Sequence, residues 1–148
     1  MGTGRIGAAL ALALLAGAAE AEETRIAITL TIEPSALQRL IDMGEWVTVS
    51  AYYFGNAASD AAPVEEDGSV YLGGETYYVY PAASQMIVLG GSIAAMPAGW
   101  VEQPEINVNV FTARYAAEDN LLDCDLVEGP VSVIAATPNV IACRWLGE

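Results

Sequence analysis

Apolar residues in this chain recur at every second position, the period of a pleated strand, in one segment after another. Residues 24–32 set Ile26, Ile28, Leu30 and Ile32 on one face and Arg25, Ala27, Thr29 and Thr31 on the other. Residues 105–113 repeat the pattern, with Ile106, Val108 and Val110 opposed to Asn107 and Asn109. In residues 45–54, Val47, Val49, Ala51 and Tyr53 share one side, and Trp46, Thr48, Ser50, Tyr52 and Phe54 share the other. A chain patterned this way buries one side of each strand against a common core, which points to stacked antiparallel sheets.

The remaining segments fit that plan. Short strands are expected at residues 69–72 and 76–80, joined as a hairpin by Gly73-Gly74-Glu75. Residues 86–96 are a continuous apolar run interrupted by Gly90-Gly91, either one bent strand or two short ones. Strands at residues 121–127, 131–136 and 140–146 complete the set, separated by the turn signals Glu128-Gly129-Pro130 and Thr137-Pro138-Asn139. Residues 56–68 and 97–104 are surface loops by composition. Helical spacing occurs once, where Leu37, Leu40 and Ile41 follow Pro34 and precede Gly44. The expected fold class is all-β (minor α), an antiparallel β-sandwich with one short N-terminal helix. The layout resembles exported immunoglobulin-like modules in architecture alone, which says nothing about function.

The first residues point to export. Arg5 precedes an apolar run over residues 6–19, and Ala19 and Ala21 flank Glu20 in an A-x-A arrangement. These are the three regions of a cleavable signal peptide. About 14 apolar residues make only about 21 Å of helix, short of the roughly 30 Å of a hydrocarbon core. Residues 1–21 are therefore expected to be removed, leaving residues 22–148 as a single domain in the periplasm or outside the cell. No Cys stands at the cleavage point, so no lipid anchor is expected there. No stable membrane insertion is expected after cleavage.

Charge narrows the partners. The chain carries 19 acidic and 5 basic residues and a net charge of −14. Losing Arg5 and Glu20 together leaves that balance unchanged. Such a surface repels phosphate backbones, so no nucleic-acid partner is expected. It is soluble on its own account, or suited to a basic partner. In an oxidising compartment Cys124 and Cys143 form one disulfide closing a loop of about 20 residues, between neighbouring strands or across the sheets.

Missing residue types bound the chemistry. There is no His and, since all five basic residues are Arg, no Lys. Serine and cysteine nucleophiles activated by His, Schiff bases and imidazole-held zinc are thereby excluded within this chain. No glycine pattern of a phosphate-binding loop occurs in a strand-to-helix setting. No cofactor is expected. Carboxylates remain, as a hydrolase pair or as oxygen ligands. Asp119, Asn120, Asp123 and Asp125 form one candidate calcium set, and Glu65, Glu66 and Asp67 a second; the competing reading of both is solvated surface.

Aromatic residues supply the positive signal. Eight of the twelve lie between Trp46 and Tyr80. If the Trp46 side of residues 45–54 faces outward, a flat sheet displays aromatic rings beside hydroxyl groups, the surface chemistry of binding hot spots. The alternative is ordinary packing, or cover by the short helix. Trp46, Tyr52, Phe54, Tyr78 and Tyr80 are the candidate ligand-binding residues. The function expected is a non-enzymatic exported binding module for a protein or glycan partner outside the cytosol. An acidic inhibitor or accessory protein for a basic partner, such as a wall-degrading enzyme, is the first alternative. A carboxylate-based hydrolase is the second.

Overall fold

Eight strands and two short helices carry the alternating pattern in a computed structural model that describes residues 24–93 and 99–147. The expected signal peptide at residues 1–21 and the end of the 86–96 run lie outside the described residues. The order is β1 (Ile26–Ile32), α1 (Pro34–Met43), β2 (Val47–Asn56), β3 (Ser69–Val79), β4 (Ser84–Leu89), β5 (Glu105–Thr112), β6 (Leu122–Cys124), β7 (Val127–Pro130), α2 (Val131–Ala136) and β8 (Asn139–Trp145). Two four-stranded sheets result, ordered β4-β1-β8-β6 and β3-β2-β5-β7.

Each sheet turns its apolar side inward. Ile26, Ile28, Leu30, Leu89 and Ile141 come from one sheet, and Val47, Val49, Tyr53, Ile106 and Val108 from the other, into a single buried cluster. The result is a sandwich-like, two-layer fold. At one rim the layers are clipped by Glu75 on β3. Its carboxylate accepts hydrogen bonds from the Tyr53 hydroxyl at 2.5 Å, the Gly90 N–H at 2.7 Å and the Tyr77 hydroxyl at 3.0 Å. Burial first, and then the hydrogen bond to Glu75 and the charge of that carboxylate, push the Tyr53 phenol far above its ordinary pKa, and Tyr77 rises for the same reasons.

The sheets are not wholly antiparallel, because β1 pairs with β8 in parallel. Helix α1 carries the chain from β1 in one sheet to β2 in the other. It buries Ala36 and Leu40, packs beside β8, and stacks Arg39 over Trp145 at 5.0 Å. Gly44, at φ 72°, ends it in a left-handed cap whose N–H reaches Ile41 O.

Three sequence expectations are corrected. Residues 131–136 form α2, not a strand. Val131 and Ile134, three apart, turn toward the core while Ser132 and Val133 are exposed, and Pro130 supplies a pre-set φ of −57° at the start. Thr137 Oγ1 donates to Val133 O, and Asn139 Nδ2 donates to Ile134 O, satisfying carbonyls at the helix end. The expected hairpin at residues 69–80 is instead one strand, β3, with a bulge opposite Tyr53–Phe54. Its glycines serve close approach rather than a turn: a Cβ on Gly74 would lie 2.9 Å from Ala51 O and 3.1 Å from Tyr71 Oη. Residues 121–127 divide between β6 and β7, which belong to different sheets.

Cys124 and Cys143 stand directly opposite one another on β6 and β8 and are joined, with their Cα atoms 4.1 Å apart. Of the two arrangements left open by the sequence, the bridge between neighbouring strands is the one found. No helix among the described residues is long and apolar enough to cross a membrane.

Candidate functional site

The outer face of the β3-β2-β5-β7 sheet is laid out by period two. Because Val47, Val49, Ala51 and Tyr53 are buried, the pleat sends Trp46, Thr48, Ser50, Tyr52 and Phe54 to the opposite side. Register then sets their neighbours: Thr48 lies between Tyr78 and Phe111, Ser50 between Thr76 and Asn109, Tyr52 between Gly74 and Asn107, and Phe54 between Tyr71 and Glu105. The helix α1 packs on the other sheet's β8 and leaves Trp46 at 37% and Tyr52 at 40% exposure. The face thus has an aromatic end, a polar middle and a second aromatic end, with Trp46 and Tyr52 about 20 Å apart along β2.

At the first end Trp46 meets Tyr80 edge to face at 5.7 Å and Tyr115 at 6.3 Å, and Tyr115 stacks on Tyr78 at 6.4 Å. Such pairs add attraction beyond the area they cover. Thr48, beside Tyr78 in the register, is buried on this outward side, and its hydroxyl has no hydrogen-bond partner.

Tyr115 comes from the loop after β5, and its position depends on Glu45. That carboxylate is fully buried and is wrapped by backbone: Oε1 accepts from the N–H groups of Trp46 and Tyr115, both at 3.0 Å, and Oε2 from Ala116 at 2.7 Å and Ala117 at 3.2 Å. Arg114, at φ 63°, bends the loop so that successive N–H groups converge. Burial by itself raises the Glu45 pKa, but the four N–H donors outweigh it and hold the carboxyl below its ordinary value.

In the middle of the face, Asn109 Nδ2 donates to Asn107 Oδ1 and Asn107 Nδ2 donates to Glu128 Oε2, each at 2.6 Å. This ladder fixes three polar side chains across β5 and β7.

At the second end Tyr52 and Phe54 lie 5.3 Å apart with their rings inclined by 34°. Together with Tyr71, Ser69, Glu65 and Asp67 they line a hollow of about 500 Å³. The loop that brings in the carboxylates is locally encoded: Gly68, at φ 85°, donates to Glu65 O, and Glu65 N–H donates to Ser69 O. Ser69 donates to Asp67 Oδ1 through both its N–H, at 2.9 Å, and its hydroxyl, at 2.6 Å. Those two bonds hold the Asp67 pKa below its ordinary value.

All five predicted aromatic residues therefore lie on one side of one sheet, divided between its two ends: Trp46, Tyr78 and Tyr80 at the first, Tyr52 and Phe54 at the second. The sequence reading missed Tyr115 and Glu45 at the first end, and Tyr71 as a lining residue at the second. No local signal marks Glu45, whose loop donors lie 70 to 72 positions away along the chain.

The candidate calcium residues are distributed otherwise. Asn120 Oδ1 accepts from Thr112 N–H and Leu122 N–H while its Nδ2 donates to Leu122 O. Asp123 and Asp125 face Arg144, at 2.7 Å and 3.9 Å. Among the described residues no group of three or more acidic, Cys or His side chains is gathered for a metal, the 65–67 set included. No family model, curated protein or solved structure matches this chain, so the aromatic face is interpreted from its own chemistry.

Proposed function

We propose that this chain is an exported, non-enzymatic binding module, immunoglobulin-like in architecture. It engages a protein or glycan partner outside the cytosol through the outer face of β3-β2-β5-β7. The observation that carries this reading is the exposure of Trp46, Tyr52, Tyr71, Tyr78 and Tyr80 on a single sheet surface whose opposite side already supplies the core. Aromatic side chains in that setting offer large contact area at low entropy cost, and the fixed Asn107–Asn109–Glu128 ladder adds polar specificity between them. The disulfide accords with an oxidising compartment.

The test is to screen the folded protein against a panel of glycans and envelope proteins, then repeat it with Trp46→Ala, Tyr52→Ala and Tyr78→Ala. Loss of a specific interaction in these variants, with unchanged circular dichroism, is the expected result. An interaction that survives all three substitutions at full strength overturns the reading.

A further inference from the structure

We propose that the hollow at the Tyr52 end of the face is a cation site that receives an arginine side chain from a basic protein partner. The inference rests on the binding-face reading above and names the ligand chemistry of one part of it.

The lining decides the chemistry. Tyr52, Phe54 and Tyr71 present ring faces and edges, and Glu65 and Asp67 present carboxylates. Hydrogen-bonding capacity there is weighted to acceptors, because Glu65 and Asp67 are acceptor-only carboxylates, the Ser69 hydroxyl and N–H are both already given to Asp67, and the Tyr52 and Tyr71 hydroxyls, which accept as well as donate, are the side-chain donors left. A ligand that complements such a lining has many donors and few acceptors. Guanidinium has five donors and no acceptor, is planar, and stacks on aromatic rings. A sugar hydroxyl brings an acceptor with every donor, and an anion is repelled.

Four further observations agree. None of the residues lining the hollow is basic, so the site does not neutralise itself. Glu105 pairs with Phe54 across the strands and Glu128 closes the polar ladder in the next row, extending the negative field along the face. The whole chain carries −14, which draws a basic protein toward the surface before contact is made. The same ring chemistry already operates elsewhere on the molecule, where the exposed Arg39 sits over Trp145 at 5.0 Å.

Position is supplied by the backbone. The turn at Glu65–Gly68 and the Ser69 clamp on Asp67 hold the charged rim in place, and the bulge in β3 with the bare Gly74 lets Tyr71 lie close over the sheet. A guanidinium entering the hollow meets groups that are already ordered, which limits the entropy lost on binding.

The experiment titrates the folded chain with a short Arg-Gly peptide and with its citrulline counterpart, which keeps the shape and loses the charge. Calorimetry is run at low and high salt on the unaltered protein and on Tyr52→Leu, Asp67→Asn and Glu33→Gln. The arginine peptide is expected to bind roughly tenfold more tightly than the citrulline peptide. Tyr52→Leu and Asp67→Asn should each weaken it roughly threefold or more. Glu33→Gln, which removes one charge beyond the face, should leave the affinity unchanged. Equal affinity for the two peptides, no binding of the arginine peptide, or equal weakening by Glu33→Gln overturns the cation site. A face that binds a neutral glycan through Tyr52 and ignores the arginine peptide overturns this assignment alone and leaves the binding-face reading standing.

Discussion

Glu45 is the residue on which one end of the candidate face hangs. A buried carboxylate is costly unless hydrogen bonds replace its water, and here four backbone N–H groups do so. Three of the donors belong to the loop that carries Tyr115, so the same bonds place that ring against Trp46 and Tyr78. Glu45→Gln should cost about 2 kcal/mol of stability, read as a lower urea midpoint, because two oxygens and full charge are exchanged for one oxygen and a mismatched amide. The folded pKa lies below the ordinary 4.5. The charged form therefore contributes in full above that value, and the contribution is lost as pH falls through the lowered pKa. The Gln variant should show a shallower loss of stability between neutral and acid pH than the unaltered protein. None of this was legible from sequence, since Glu45 and its loop partners are 70 to 72 positions apart. A glutamate there is indistinguishable from a solvated one until the loop is placed.

At the scale of elements, the residues that alternate strictly were the ones that could be placed from sequence. Strands β1, β2 and β5 have unmixed inner faces, and the outward side of β2 follows from its buried side by parity alone. Segments without a clear period were placed by context instead. Residues 131–136 are apolar except for Ser132, too short a run for periodicity to separate strand from helix, and Pro130 with the carbonyl-capping Thr137 and Asn139 settles the matter locally. Gly73-Gly74 has the composition of a turn, yet the pair serves a bulge and the close approach of Tyr71, which depends on a neighbour strand that sequence does not display. The disulfide belongs to this scale too. Joining β6 to β8 ties a three-residue edge strand to the rest of its sheet. Reducing the bridge, or replacing both cysteines with Ala, should lower stability by about 3 kcal/mol in the chain-entropy model, seen as a Tm lower by roughly 10 °C. Because β6 sits at the edge of the other sheet, peptide binding at the Tyr52 end should persist in the reduced protein at temperatures where it stays folded.

For the molecule as a whole, charge is the dominant property. A net −14 on a chain of 148 residues repels itself in the compact state. Added salt screens that repulsion, so Tm should rise from low to moderate ionic strength while association with a basic partner weakens. Those opposite responses separate self-repulsion within the fold from attraction across an interface, and scanning calorimetry beside a binding titration in the same salt series reads both. The parallel pairing of β1 with β8 has a consequence of another kind. Ile28 lies beside Asn139, more than a hundred residues away, and Leu30 beside Ile141, both in the middle of their sheet. Until β8 arrives, β1 has a neighbour on one flank only, and the sheet is open through its centre. The seam at the centre of that sheet thus waits on residues far along the chain, a long-range closure of the kind that slows folding.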